Sequence, residues 1–330
     1  MFRSLSRPEG LQLNPAPEIV VNLYNKKKTF AARVVDKYRI SHTSSPNHCW
    51  HVVLDVTDSE MAGKYRIGQS LGVFPDGRFN SHEFNYVHQS LTDKVRLYSI
   101  ASACWGDDWH GNTVSLCVKR ELGEDAETGK LVMGSTSNFI CDVQPGDSID
   151  VTGPVGKSFL LPEDPLDYHY VLVATGTGIA PYRGMIIELF NQGFEGEVWL
   201  IFGVPYSTDI MYDDAFTYFA EEYPNFHYHT AISREKRNAK GERFYVQDAL
   251  EENQEQLVPL LEKPNCLMYL CGLKGMEYGV YPWLYRIKSN LVSLPENMTL
   301  DQVDKLPRDA REWVRIERSR DKTRLLKETY

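Results

Sequence analysis

Residues 96–102, Arg-Leu-Tyr-Ser-Ile-Ala-Ser, combine a guanidinium, an aromatic ring and hydroxyl groups in a short β-like segment. Alternate side chains of an extended strand point to the same face, so Arg96 and Tyr98 are expected on one face. Arg96 could fork onto a phosphate, Tyr98 could lie against a flat ring, and Ser99 could reach the reacting edge of that ring. This chemistry suits a flavin. The alternative is an ordinary half-exposed strand, and the segment alone does not separate the two.

A second candidate site follows the apolar residues 171–174, where the chain continues Thr-Gly-Thr-Gly-Ile-Ala-Pro. Glycines allow a tight turn and a close approach to a ligand. Pro181 suits the first helical position and leaves the helix N-terminus free to bind phosphate. The turn is similar to a dinucleotide-binding turn but lacks the third glycine of Gly-x-Gly-x-x-Gly. A plain strand-to-helix connection is the alternative.

Two other segments carry groups that suit phosphates. Residues 134–138, Gly-Ser-Thr-Ser-Asn, offer backbone amides and hydroxyls to a pyrophosphate, and residues 117–119 could line the same ligand from a neighbouring strand. A hydroxyl, two guanidiniums and a phenol follow the apolar strand that ends at residue 232; they belong to Ser233, Arg234, Arg243 and Tyr245. Such groups suit a ribose 2′-phosphate, whereas an acidic residue there would indicate NAD. For residues 134–138 and 117–119 the alternative is ordinary barrel sequence without a ligand. For the residues after 232 the alternative is a solvated loop.

Composition and charge limit the function classes. The chain has 330 residues, enough for two domains, with 42% hydrophobic and 25% charged residues, as in ordinary soluble proteins. No apolar run has membrane-spanning length, and no secretory signal is visible in residues 1–10. The net charge of −9 argues against general nucleic-acid binding. Basic residues cluster at 26–39 and 315–327, which is compatible with an acidic protein partner or with a mixed solvated surface.

The cysteines and histidines do not predict a metal site. The 6 cysteines include no Cys-x-x-Cys pair and no zinc-site spacing, which favours a reducing compartment. His48 and His51 fall on opposite faces of a predicted strand, which indicates a structural role. Cys271 ends an apolar strand. It is expected to be either an inert buried side chain or a group that faces a reacting ring.

The pattern of predicted secondary structure changes once along the chain. Residues 1–24 form a proline-containing arm. From 29 to 153 the pattern predicts only strands, at 31–38, 51–56, 70–73, 95–99, 114–119 and 148–151. Later, nearly continuous apolar strands at 171–174, 198–202, 227–232 and 267–270 alternate with helical segments at 182–192 and 212–222. We therefore predict an N-terminal antiparallel β-barrel (25–162) and a C-terminal α/β domain with a parallel sheet (163–330).

Taken together, these segments resemble the plant-type ferredoxin-NADP reductase family. The motifs similar to its FAD-binding barrel are 65–70, 75–77, 96–102, 115–120, 137–142, 145–147 and 152–157. Those similar to its NADP-binding domain are 174–183, 202–205, 233–235, Gln247, 271–277 and the terminal Glu-Thr-Tyr. The arm, the loop at 78–94 and the segment at 291–311 fall outside the resemblance.

The resemblance implies FAD and NADP as cofactors and assigns roles by position. Contacts with FAD are implied for Arg96, Leu97, Tyr98, Ser99, Cys117, Val118, Lys119, Ser135, Thr136, Ser137, Thr175 and Tyr330. Contacts with NADP are implied for Ser99, Lys119, Thr175, Val204, Pro205, Ser233, Arg234, Arg243, Tyr245, Gly272, Leu273 and Glu328. In catalysis, Ser99 is expected at flavin N5 and Cys271 and Glu328 around the nicotinamide. Tyr330 is expected to stack on the flavin until nicotinamide displaces it.

The implied activity is electron transfer between NADP(H) and a one-electron carrier, an acidic ferredoxin or flavodoxin. The alternatives are the reductase component of an oxygenase system and a non-catalytic flavin-binding regulator. A cytoplasmic location is expected, or an organellar stroma if a transit peptide has been removed. The chain departs from the family at residues 121–137, which contain no aromatic to stack on adenine. Thr136 stands where cysteine is common, Arg243 replaces a lysine, and 291–311 is longer.

Overall fold

The structure is a computed structural model that describes residues 6–75, 78–81, 86–89, 95–124, 129 and 131–330, with backbone alone for 78–81 and 86–89. Asp76, Gly77 and much of the predicted 78–94 loop lie outside the described residues. The chain forms two compact units. The first comprises Met1–Pro162, Ala180–Gln192 and Thr208–Tyr212, and the second comprises Glu163–Ile179, Gly193–Ser207 and Asp213–Tyr330. The assignment of one cofactor to each predicted domain stays a prediction.

The first unit is built mainly from strands. Its elements are β1 (Phe30–Arg39), β2 (Cys49–Asp55), β3 (Ser70–Val73), β4 (Arg78–Ser81), β5 (Tyr86–Gln89), β6 (Arg96–Ser99), β7 (Thr113–Lys119), β8 (Leu122–Glu124), β9 (Leu131–Met133), α1 (Ser135–Asp142), β10 (Ser148–Val155) and most of α2 (Ile179–Asn191). All the strands predicted between 31 and 151 are present, with ends that differ by a few residues.

Six of these strands form an antiparallel sheet in the order β6-β3-β10-β1-β2-β7. Its two edge strands meet, because Ile100 bridges Leu116 and the Ala101 amide donates to the Ser115 carbonyl at 2.7 Å. The predicted antiparallel barrel is thus confirmed. Alternate β7 side chains fill its core, among them Leu116 and Val118. The arm lies on this unit: the Trp105 indole donates to the Asn14 carbonyl at 2.7 Å.

The expectation of strands alone between 29 and 153 is wrong at α1. Phe139, Ile140 and Cys141 of this helix pack in the barrel core. A buried ion pair ties its end to the end of β7, with Arg120 Nη2 lying 2.7 Å from Asp142 Oδ1. The helix has 8 residues, too few to give a clear helical periodicity in sequence.

The second unit alternates strands and helices. Its elements are β11 (His169–Thr175), β12 (Val198–Val204), α3 (Asp213–Glu222), β13 (Phe226–Ile232), α4 (Val246–Glu252), α5 (Gln254–Glu262), β14 (Cys266–Gly272), α6 (Glu277–Arg286), α7 (Leu300–Asp304), α8 (Trp313–Arg318) and β15 (Leu325–Thr329). The strands form a five-stranded sheet in the order β13-β12-β11-β14-β15, and all of its pairs are parallel. The parallel sheet is confirmed; β15 was not predicted.

The segment 291–311 packs on the second unit. Leu291, Val292 and Val303 belong to the core of the second unit. Arg286 of α6 and Asp304 of α7 form an ion pair at 3.0 Å. The extra length is therefore a packed layer over α6. In the part of the chain that the structure describes, no helix is long and apolar enough to cross a membrane.

Candidate functional site

Strand β6 presents the first predicted site residues at an edge of the barrel sheet. Arg96 pairs with Val73, and Ser99 pairs with Ser70. Arg96 and Leu97 are exposed, whereas Tyr98 and Ser99 are half-buried. Tyr98 packs against the barrel core, and burial raises the pKa of its phenol, which stays neutral. The strand therefore exposes the Arg96 guanidinium and holds the Tyr98 ring and the Ser99 hydroxyl half-buried, and their contact with a flavin nucleotide stays a prediction.

The start of α1 fits a pyrophosphate. The first amides of a helix lack intrahelical acceptors, and here Gly134 provides no side-chain cap and the first turn holds no acidic residue. The Thr136 hydroxyl is buried and has no hydrogen-bond partner among the described residues. Ser137 is tied back, since its hydroxyl accepts from the Glu121 amide at 3.3 Å. An anion at this end would satisfy the amides and the Thr136 hydroxyl together, so the residues fit the implied cofactor.

Residues 117–119 of β7 differ in what they can offer. The Val118 side chain lies in the barrel core. Cys117 is buried with its sulfur 3.7 Å from that of Met211, and burial raises the pKa of its thiol. Only backbone groups of these two residues are left for a ligand. Lys119 is half-exposed, with its Nζ 3.4 Å from Glu121, so it alone of the three presents a side chain.

A buried charged cluster that the sequence analysis missed lies behind the end of β6. The Asp107 carboxylate is 2.7 Å from His51 Nε2 and 2.9 Å from Arg183 Nη1. The same guanidinium nitrogen donates to the Ala101 carbonyl at 2.9 Å, just after Ser99 in the chain. Burial alone would raise the pKa of Asp107, but Arg183 and His51 hold it well below its usual range. The cluster thus fixes the turn that follows Ser99.

In the second unit, Thr175 and Gly272 meet at the carboxyl end of the sheet. Gly272 has φ +127, and a Cβ there would lie 2.3 Å from the Thr175 carbonyl oxygen. The Leu273 amide donates to the Thr175 hydroxyl at 2.8 Å. A Cβ on Gly178 would lie 2.2 Å from the Cys271 carbonyl oxygen. These glycines therefore allow close packing of β11 and β14, and Pro181 is the third residue of α2, not its first.

The end of the chain is held at the same edge. The Tyr330 amide donates to the Gly272 carbonyl at 3.0 Å, and the Tyr330 carbonyl accepts from the Lys274 amide at 3.0 Å. The Tyr330 and Thr177 hydroxyls are 2.7 Å apart. Tyr330 is nevertheless 61% exposed. The terminal residue is thus fixed by its backbone at this edge of the sheet.

Cys271 and Glu328 are paired residues on the last two strands of the sheet. Cys271 lies within β14, opposite Glu328 of β15, and it is completely buried. Its thiol is therefore enclosed, and its placement at the nicotinamide stays a prediction. Glu328 is half-buried, and Leu273 is 60% exposed. The groups presented at this edge are those of Leu273, Glu328 and Tyr330.

The predicted 2′-phosphate residues surround the ends of β12 and β13. The Ser233 amide donates to the Val204 carbonyl, and the Arg234 amide to the Pro205 carbonyl, both at 2.9 Å. The Arg234 guanidinium donates to the Tyr206 hydroxyl at 2.9 Å and lies 5.3 Å from the centre of that ring. The structure therefore brings these predicted residues together. Arg243 and Tyr245 follow in the same loop and are exposed.

The two basic clusters are partly neutralised within the chain. In the first, Lys28 pairs with Glu60 at 2.6 Å, and Lys37 donates to the Val143 carbonyl at 2.9 Å. In the second, Lys327 pairs with Glu317 at 2.8 Å, and Arg324 donates to the Leu261 carbonyl at 2.7 Å. Because these side chains make contacts within the chain, only part of each cluster is left to bind a partner.

Comparisons with known proteins agree with this geometry. The family model of the oxidoreductase NAD-binding domain matches residues 172–281. A chloroplastic embryo isozyme of ferredoxin–NADP reductase from Oryza sativa subsp. japonica is 40% identical over 286 residues, which cover 84% of this chain and 73% of that protein. A ferredoxin–NADP reductase of Spirulina sp is 39% identical over 269 residues, covering 80% of this chain and 88% of the other.

Solved structures give the same result. Ferredoxin-NADP+ reductase from Plasmodium falciparum has a TM-score of 0.66 at 26% identity, covering 94% of this chain and 99% of that one. The same reductase solved with 2′P-AMP has a TM-score of 0.64 at 27% identity, covering 81% and 96%. Because relatives of this name are about 40% identical over most of both chains, this chain belongs to the ferredoxin–NADP reductase family.

Proposed function

We propose that this protein is an FAD-dependent reductase that transfers electrons between NADP(H) and ferredoxin. The observation that carries the proposal is the carboxyl edge of the parallel sheet. This edge holds Arg234 beside Tyr206 and fixes Tyr330 on the backbone of Gly272. A cation for a ribose phosphate and a presented aromatic ring on one sheet are what binding of a pyridine dinucleotide requires.

FAD would supply two-electron chemistry toward a nicotinamide and one-electron chemistry toward an iron–sulfur protein. The residues that would hold it are those of the first unit. Arg96 would bind a phosphate, α1 would bind the pyrophosphate through its first amides and the Thr136 hydroxyl, and Tyr98 would flank the ring. Ser99 would hold a hydrogen bond at the reacting edge. The buried Asp107 cluster would keep Ser99 in place.

On the second unit, Ser233, Arg234, Arg243 and Tyr245 would bind the 2′-phosphate of NADP(H), with Val204 and Pro205 along the adenosine. Tyr330 would cover the flavin face and leave when nicotinamide arrives. Glu328 and Leu273 would border the nicotinamide. The buried Cys271 would act by packing behind that pocket, because its thiol is enclosed.

An acidic ferredoxin is the partner we favour, with flavodoxin as a second carrier of the same charge. Residues such as Lys26, Lys27 and Lys322 are exposed, and they would form part of a docking face. The plant relatives are named chloroplastic. We propose a cytoplasmic location for this chain, or the stroma of an organelle if the protein is imported.

Two rivals are tested by the same assays. An oxygenase reductase would pass electrons to an oxygenase component rather than to free ferredoxin, and a regulatory flavoprotein would bind FAD without turnover. The presentation of Ser99, Glu328 and Tyr330 disfavours a mere binder, which needs no nicotinamide pocket.

The test is anaerobic reduction of the purified yellow protein by NADPH, followed by cytochrome c reduction with and without ferredoxin at increasing salt. We expect the flavin to bleach and the ferredoxin-dependent rate to fall steeply with ionic strength, because exposed charges are screened beyond about 10 Å at 0.1 M salt. The matched control is NADH, which should bleach the flavin much more slowly. A flavin that NADPH does not bleach would refute the reductase function.

A further inference from the structure

We infer that Arg237 is a further specificity-determining residue and that it binds the 2′-phosphate of NADP(H) together with Arg243. The inference rests on the proposed function and deepens it. It assigns a third guanidinium to this phosphate, in addition to those of Arg234 and Arg243.

A small β-bridge lies in the loop after β13. Arg237 and Arg243 are antiparallel bridge partners. The flanking hydrogen bonds run from the Asn238 amide to the Glu242 carbonyl at 2.9 Å and from the Phe244 amide to the Lys236 carbonyl at 3.2 Å. Because these bonds flank the pair rather than join it, Arg237 and Arg243 form a non-hydrogen-bonded pair. In such a pair the Cα atoms are about 4.5 Å apart and the side chains are at their closest.

This arrangement is costly without an anion. Like charges placed directly opposite each other destabilise an antiparallel pair. Both arginines are exposed, and neither lies within ion-pair distance of a carboxylate in the described part of the chain. A phosphate monoester carries a charge of about −1.5 to −2 near neutral pH and can accept hydrogen bonds from both guanidiniums. The pair therefore fits a dianionic phosphate better than it fits solvent.

The residues that share a face with the arginine pair indicate which phosphate the pair binds. Side chains alternate along the extended segment, so Arg237, Arg243 and Tyr245 lie on one face. Phe244 lies on the other face and is buried at 5% exposure. Lys236 joins Phe244 there, with its Nζ 6.0 Å from the ring centre. Arg237 thus shares its face with two residues already assigned to the 2′-phosphate, whereas Lys236 does not.

The loop is rigid enough to hold this geometry. Asn238 accepts from the amides of Lys240 and Glu242, both at 3.0 Å, and its own amide group donates to Asp248 of α4 at 3.0 Å. Gly241 closes the turn with φ +77, a conformation that suits glycine. The two guanidiniums are therefore presented from an ordered turn, which lowers the entropy cost of binding.

The experiment compares Arg237→Ala with Lys236→Ala, two variants that each lose one exposed positive charge from the same loop. Binding of NADP+, NAD+ and 2′,5′-ADP to the holoenzyme is measured by calorimetry at several salt concentrations. We expect R237A to weaken NADP+ and 2′,5′-ADP binding by roughly tenfold, as for the loss of one charge-assisted hydrogen bond. Binding of NAD+ should be unchanged, and K236A should alter each affinity by less than about twofold because its side chain is on the other face.

Two more readouts keep the outcome clear. Arg237→Lys should recover only part of the affinity, because an ammonium lacks the forked geometry. Without ligand, R237A should unfold at the same temperature as the parent or slightly higher, since one repulsive charge is removed. The inference is overturned if R237A binds NADP+ within twofold of the parent, if K236A matches R237A, or if R237A affects only the reduction of ferredoxin. A parent protein that binds NADP+ no better than NAD+ would instead defeat the proposed function itself.

Discussion

Lys327 anchors the terminal strand, and replacing it by methionine tests whether that strand positions the end of the chain. Its ammonium lies 3.0 Å from Glu277 and 2.8 Å from Glu317, and its side chain is 9% exposed. The Glu277 side chain is only 3% exposed. The Thr329 hydroxyl also donates to Glu277, so the buried carboxylate links α6 to β15 at two points.

The expected magnitude follows from the burial of Glu277. Removing one partner of a buried ion pair costs about 3–5 kcal/mol, because the other charge is left uncompensated. The strand β15 is both the edge of the sheet and the end of the chain, so it can open without global unfolding, which typically costs about 5–15 kcal/mol. We therefore expect Lys327→Met to make local opening of residues 325–330 easier by on the order of 10²–10⁴-fold.

Hydrogen exchange of the amides of residues 325–330 measures this opening directly. Lys322→Met is the matched control, because Lys322 is exposed and has no ion pair among the described residues. Opening would also move Tyr330 away from Gly272, so NADH should compete better with NADPH in the Lys327 variant and not in the control. Unchanged amide protection in Lys327→Met, or equal loss in both variants, would refute the anchoring role.

Three other perturbations test separate parts of the site. Ser99→Ala should slow single-turnover flavin reduction by NADPH by about tenfold, the worth of one hydrogen bond at a reacting centre, with FAD content unchanged; an unaltered rate in stopped flow would remove Ser99 from the chemistry. Deletion of Tyr330 should tighten nicotinamide binding and reduce the NADPH-to-NADH preference, and a constant preference in steady-state kinetics would exclude a covering ring. Because its neighbours lower the pKa of Asp107, the stability that this carboxylate supplies is present above the ordinary aspartate pKa and is lost as pH falls toward the folded pKa. The difference in urea midpoint between the parent and Asp107→Asn should therefore shrink below about pH 4, and a constant difference would contradict the charged assignment.

The strands of both units were predictable because their signals are local. Nearly continuous apolar runs predicted β11, β12, β13 and β14, and turn residues separated the barrel strands. The strand β15 was missed, since residues 325–329 contain a lysine and a glutamate and only Leu325 is fully buried. An edge strand at the end of a chain needs only one apolar face, so its composition does not distinguish it from a solvated tail.

For the candidate ligand residues, the sequence predicted the residue types and their positions at the ends of strands, but not their neighbours in space. Arg234 and Ser233 follow a strand, and their neighbours in space are set by the register of β12 and β13. The sequence left two environments open for Cys271, because its burial depends on β15 lying beside β14. In sequence, Cys271 lies at the end of an apolar run. In the fold, the neighbouring strand β15 covers it, so it is an interior residue of the sheet.

The residues that position the site were the hardest to find, and their sequence separations explain why. Arg120 contacts Asp142 across 22 positions, and Arg183 contacts Asp107 across 76. No periodicity links such pairs, and each member alone resembles a surface charge. Their burial is costly unless the partners meet, so each pair fixes one arrangement of the elements that carry it. Arg120 and Asp142 set where the amides of α1 begin, and Arg183 and Asp107 set the turn after Ser99. The polar groups that would hold a flavin are thus positioned by charges that do not touch it, and substituting them should alter cofactor affinity through geometry rather than through lost contacts.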